Sequence, residues 1–171
     1  LYLNGLQRTN FLPAIETIYE YCDVLRLDSC TDYRFRELEK SKVYFIHDDK
    51  TTKSSLEEIF NGLLSPNEEF FQSTHLVIQN RKILAYRYSH NTVWFSFREL
   101  CDGPRSQNDY IQISKEYHTV IIENIPELTE DRENMTRRFI SLVDEFYDRN
   151  VKLIVSAEKP VHELYLSLIH I

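Results

Sequence analysis

The stretch that decides the fold is "HTVIIENIPELTEDRENMTRRFISLVDEFYDRNVKLIVSA", His118–Ala157. It opens on a stretch rich in β-branched residues, "TVIIENI", and closes on an apolar one, "VKLIVSA". Between them, Met135, Phe139, Leu142, Val143 and Phe146 recur at the spacing of one helical face. Strand, helix and strand over this length make a βαβ unit. Its two strands must then be parallel, and the class is α/β.

Working back from that unit, Ser106 and Asp109 mark the start of a helix carrying Tyr110, Ile113 and Tyr117 inward. Ser96 and Glu99 form a similar signal ahead of a short helix that Gly103 and Pro104 end. "HLVIQNRKILAYRYSHNTVWFSF", residues 75–97, reads as a hairpin turned by the polar "QNRK", then a further strand. Before it, "KSSLEEIFNGLL" predicts a helix started by Ser54 and Glu57. Leu56, Ile59, Phe60, Leu63 and Leu64 form its buried face. Residues 29–46 are charged, then strand-like, and "DVLRLD" reads as a short strand. At the front, Asn10 is placed to cap a helix with Pro13 in its first turn. Phe11, Ile15, Ile18, Tyr19 and Cys22 lie on one face of it.

Composition narrows the function. Twenty basic against 27 acidic side chains give a net charge of −7. That argues against nonspecific binding to nucleic acid or an anionic membrane. No apolar run approaches the roughly 20 residues of a bilayer span. The wide spacing of Cys22, Cys30 and Cys101 predicts three reduced, metal-free thiols. The six histidines form no HxxxH or HExxH, so no metal ligands are assigned. The three glycines, Gly5, Gly62 and Gly103, are too far apart for GxxxxGK[ST] or GxGxxG, so these residues contain no Walker A cradle. Asp144 and Glu145 in "VDEF" imitate a Walker B pair but fall within a helical period. Glu123 and Asn124 end a strand without the aspartate and read as a solvated strand end. Arg8, paired Arg34 and Arg36, and Arg137 and Arg138 remain; taken singly, each reads as a surface charge.

Longer words carry more. "LYLNGLQRTNFLPAI", "LDSCTDYRFREL", "WFSFRELCDGPRSQNDYI", "YHTVIIENIPEL" and "TRRFISLVDEFYDRNVKLIVSAEKPVHELY" follow one another from Leu1 to Tyr165. In this order they resemble the ZapE family of AAA+ ATPases, the bacterial branch more than the mitochondrial one. Cys30 stands where that family has glycine.

The resemblance implies an α/β chain in two parts. Residues 1–30 would be the end of a P-loop AAA+ ATPase core, and residues 31–165 a mixed α/β C-terminal region with a β-hairpin and a terminal βαβ unit. Residues 166–171, "LSLIHI", read as a non-native tail, and the start without Met as an internal one. Walker A and Walker B would lie ahead of Leu1. The intact protein would use ATP and Mg2+, with neither expected on this fragment, which alone would be inactive. The resemblance also implies a homo-oligomeric ring acting on protein partners at the division site or inner membrane, without nucleic acid. The place would be the cytoplasm or the inner-membrane periphery. Arg8 is the candidate trans-acting arginine finger; Arg34 and Arg36 are candidates for nucleotide sensing or interface pairing. The alternative is a non-enzymatic protein-interaction module.

Overall fold

The computed structural model describes residues 8–23, 43–46 and 51–165, with side chains from residue 12 onward. Two compact units divide the chain, Leu1–Tyr33 and Arg34–Ile171. The first contains helix α1, Arg8–Tyr21. This helix already begins at Arg8, so Asn10 lies inside it and is not its cap, and Pro13 falls beyond the first turn. Proline offers no N–H to the preceding turn. The Thr17 hydroxyl donates to the Pro13 carbonyl at 2.9 Å. Ile18 and Tyr19, on the face expected to be apolar, are 38% and 59% exposed. The expected strand in "DVLRLD" lies outside the described residues, apart from Asp23.

The second unit is built on a six-stranded sheet. In chain order its elements are β1 (Tyr44–Ile46), α2 (Thr51–Leu63), β2 (Phe71–Ile78), β3 (Arg81–Tyr88), β4 (Thr92–Ser96), α3 (Phe97–Cys101), α4 (Gln107–Glu116), β5 (Thr119–Ile125), α5 (Glu133–Asp148) and β6 (Lys152–Ala157). A 3₁₀ turn, Glu130–Arg132, leads into α5, and another, Val161–Glu163, follows β6. The strand order is β1-β6-β5-β4-β3-β2. The first four are parallel; β3 and β2 continue the sheet as an antiparallel hairpin. The expected βαβ unit is therefore part of a larger parallel block.

Alternation along the strands assigns the two faces. Val93 and Phe95, Val120 and Ile122, and Val155 and Ala157 point to one side, under Leu100, Tyr110, Ile113, Leu142 and Phe146 from α3, α4 and α5. Trp94, Ile121 and Ile154 point to the other, where Leu56 and Phe60 of α2 cover them. Each such fully buried large side chain is worth ~1.5–3 kcal/mol. Both the Leu56–Phe60 face and the Leu142–Phe146 face are those the periodicity indicated.

Local signals hold with some shifts. The hairpin turn consists of Gln79 and Asn80 alone, with Ile78 opposite Arg81. Both turn residues have positive φ, 48° and 59°. That left-handed pair matches the twist of the flanking strands, and here it is made without glycine. Helix α2 begins three residues before Ser54, so the Ser54–Glu57 box does not start it. Instead the Thr52 hydroxyl donates to the carbonyl of Ile46 at 3.1 Å and ties the first turn back to β1. Ser96 does cap α3, accepting from the Glu99 N–H, but the Glu99 carboxylate turns away to accept from Leu84 N–H at 3.1 Å.

Candidate functional site

Arg8 is the first residue of α1. The position thus belongs to the helix and not to a separate turn ahead of it. Arg34 and Arg36 lie outside the described residues. Arg137 forms an exposed i,i+4 ion pair with Glu133, and Arg138 donates to the Cys101 carbonyl at 3.0 Å, tying α5 to α3. Asp144 and Glu145 sit on α5, as their period required.

In the second unit, chemistry gathers where the parallel strands end. Helix α2 leaves β1 over one face of the sheet, while α3 with α4 and α5 leave β4 and β5 over the other. Connections diverging this way open a crevice at the strands' carboxyl ends, the usual ligand position in open α/β sheets. Here the crevice consists of two adjoining cavities that share Asn124 and Glu158. One, about 380 Å³, is lined by Thr52, Lys53, Leu56, Glu123, Asn124, Ser156 and Glu158. The other, about 560 Å³, adds Arg98, Asp102, Arg132 and Met135.

Backbone irregularity aims these groups. The β5–β6 register shifts between Ile122 and Ile125. Within that shift Asn124 takes φ 61°, a left-handed conformation that asparagine tolerates better than most residues. Its N–H then donates to the hydroxyl of buried Ser156 at 3.1 Å. Glu158 is fixed by accepting from Glu127 N–H at 3.0 Å, and Arg132 by donating to the Glu127 carbonyl at 2.9 Å. Glu123 and Asn124, read from sequence as a solvated strand end, thus line the crevice floor. The signal available was position: the last residues of a buried parallel strand.

Lys53 stands at the crevice mouth with its ammonium 4.8 Å from the Tyr86 ring centre. A hydrogen bond with Tyr86 raises its pKa most, with smaller help from Glu123 and Glu57 and a lowering by partial burial. From Tyr86 the polar chain continues inward. The Tyr86 hydroxyl and Arg87 both reach Glu57, at 3.4 and 3.2 Å. The Arg87 guanidinium is enclosed by Phe60, Phe70, Tyr86 and Trp94, each ring centre 5.6–6.0 Å away. Lys53, Arg98 and Arg132 face Glu123, Glu158 and Asp102 across the crevice. The opposed signs leave no excess positive field for a polyphosphate. Among the described residues no glycine lines either cavity to let backbone N–H groups close on one. Among the described residues no three His, Cys, Asp or Glu side chains are grouped to hold a metal ion. The crevice therefore does not fit the ATP·Mg2+ cradle of a P-loop.

Comparison with known proteins supplies the wider context. The family model described as AFG1-like ATPase matches residues 1–168. The cell division protein ZapE of Escherichia coli (strain K12) is 42% identical over 167 residues, which is 96% of this chain and 44% of that protein. Lactation elevated protein 1 homolog B of Danio rerio is 33% identical over 165 residues, 96% of this chain and 33% of that protein. The chain thus spans less than half the length of these curated relatives. The mixed six-stranded sheet with its five described helices is consistent with a domain of an AAA+ ATPase family. With nearly every residue inside the family match, and the motifs in order along it, the chain belongs to the AFG1-like ATPase family.

Proposed function

We propose that this chain is part of a ZapE-type AAA+ ATPase that couples ATP hydrolysis to work on protein partners in bacterial cell division, in the cytoplasm or at the inner-membrane periphery. ATP with Mg2+ would be cradled by residues outside these 171. The arginine of this chain that acts on it is Arg8, reaching the γ-phosphate bound by a neighbouring subunit of a homo-oligomeric ring. The supporting observation is the placement of Arg8 at the leading residue of α1, within the family's "NGLQR" word. A guanidinium is always charged and forks onto two phosphate oxygens, so it can offset charge that develops during transfer. Arg34 and Arg36 are the secondary proposals, for nucleotide sensing or interface pairing.

In the intact protein, Arg8→Ala should lower ATP turnover by roughly 10³–10⁵ while leaving ATP binding nearly unchanged. Arg8→Lys should rescue poorly. Mixing Arg8→Ala subunits with subunits inactivated in Walker A should restore part of the turnover, since one donates the pocket and the other the finger. Near-normal turnover by Arg8→Ala would return Arg8 to a surface charge, worth about 0–1 kcal/mol in an ion pair.

A further inference from the structure

The crevice at the carboxyl ends of the strands takes no part in the chemistry assigned to Arg8, yet its backbone is built as a ligand site is. The β5–β6 register shift and the left-handed Asn124 occur together at its floor. Non-glycine residues held at positive φ cluster at binding sites, and bulges that re-aim a side chain do the same. Asn124 borders both cavities. It is exposed, and its carboxamide makes no hydrogen bond among the described residues. A carboxamide carries two donors and one acceptor, the complement of a peptide group.

Charge around Asn124 narrows the ligand. Arg98 and Arg132 line the larger cavity, and neither forms an ion pair among the described residues. Arg132 gives an N–H to the Glu127 carbonyl; the Arg98 side chain gives none to any described residue. Two guanidinium forks on one cavity of about 560 Å³, with no carboxylate in contact, suit a planar anion. Asp102 and Glu158 in the same lining oppose further negative charge, so the anion is a single carboxylate and not a polyphosphate. Glu158 borders both cavities. One of its oxygens accepts from Glu127 N–H, and the other is left for a cation beside the bound carboxylate.

We propose that this crevice binds the C-terminal end of a polypeptide that carries a basic residue close to its terminus. The terminal carboxylate is held by Arg98 and Arg132, a peptide group meets the Asn124 carboxamide, and the basic side chain meets Glu158. Two adjoining cavities that share Asn124 and Glu158 take an extended chain better than one compact molecule. The proposal rests on the crevice alone and not on Arg8; to the reading above it adds the kind of chain end that a protein partner offers.

The test uses the isotope-labelled 171-residue chain and its amide NMR spectrum. The probe is the peptide acetyl-Ala-Lys-Ala-Ala with a free carboxylate. It should shift the resonances of Asn124 and its neighbours saturably, with a Kd below ~1 mM. Amidating the peptide's terminus, or replacing its lysine by glutamate, should each raise Kd about tenfold. Arg98→Ala, at an exposed position, should weaken the free-acid peptide by a similar factor. Arg137→Ala, which removes an exposed ion pair on α5, should change nothing. Glu158→Gln keeps an acceptor for Glu127 N–H and removes the charge, so it should erase the preference for lysine over glutamate. Unperturbed spectra away from the crevice show that each variant is folded. No ATP enters the experiment, so its failure leaves the role of Arg8 standing. The proposal is overturned by the absence of saturable shifts, by shifts confined to other surfaces, or by equal binding of the free and amidated peptides. Inorganic phosphate or free lysine binding as tightly as the peptide overturns it too, and so does an Arg98→Ala chain that binds as the parent does.

Discussion

Cys22, Cys30 and Cys101 look alike in the sequence, and burial separates the two described here. Cys22 is exposed; Cys101 is fully buried at the end of α3, and Cys30 lies outside the described residues. Burial pushes the Cys101 thiol from its ordinary value of 9.0 up to about 12, against smaller lowering by Tyr110 and Arg138. A thiol held neutral is a poor nucleophile. At pH 8, an alkylating reagent followed by mass mapping should therefore mark Cys22 in the native chain and reach Cys101 only after unfolding. The same shift sets a pH dependence. The folded thiol stays protonated while the unfolded one ionises above about pH 9, so this contribution to stability is intact below pH 9. It is lost as pH rises toward 12, by ~1.4 kcal/mol per unit. Tyr44 and Tyr117, also raised by burial to about 12, add to the loss above pH 10. Urea midpoints should fall from pH 8 to pH 10.5, and Cys101→Ala should flatten the part between 9 and 10. An identical slope in that variant would show that burial is not holding the thiol neutral.

At the scale of elements, Asp109 joins α4 to the hairpin. Its carboxylate accepts from the Ser106 N–H at 2.7 Å and the Ser106 hydroxyl at 2.9 Å, and it binds Arg81 beside the turn. Asp109 is 1% exposed, so removing it strands several donors at once. In urea unfolding, Asp109→Ala should lose the ~1–2 kcal/mol of a cap, rising to ~3 kcal/mol with Arg81 left unpaired. Ser106→Ala should cost under ~1 kcal/mol, since the carboxylate still accepts from the backbone. Equal losses would mean that Arg81 contributes nothing through Asp109. The Ser106–Asp109 signal was legible because a cap is a local device. So were the buried faces of α2 and α5, whose period lies within one element. Pairing was not legible. Nothing in "VYFI" says that β1 lies beside β6, over 100 residues away, or that β4 runs parallel to β5 and antiparallel to β3. The crevice was missed for the same reason. Lys53, Glu123 and Glu158 are remote in sequence and meet only because parallel strands align their carboxyl ends. Asn10 failed as a cap because α1 is already helical from Arg8, a choice that residue's own propensity does not control.

For the whole molecule, the question is whether these 171 residues can turn over ATP by themselves. An arginine finger accelerates transfer only when other groups already hold the nucleotide in line and a metal bridges its phosphates. A cradle needs glycines spaced so that successive N–H groups converge, and Gly62 lies in α2 while Gly103 follows α3. The crevice of the second unit, with three cations set against three carboxylates, offers no substitute. We therefore expect the purified chain to show no ATP turnover above a buffer control and no saturable binding of a fluorescent ATP analogue with Mg2+ at micromolar concentrations. The two measurements separate the possible failures. Turnover that survives further purification and is lost in Arg8→Ala would mean that the chain assembles a complete site and that the cradle argument is wrong. Binding without turnover would place a nucleotide site on these residues. Lys53→Ala and Arg98→Ala should then weaken that binding if the crevice holds the nucleotide, and leave it unchanged if the site lies in the first unit around Arg8.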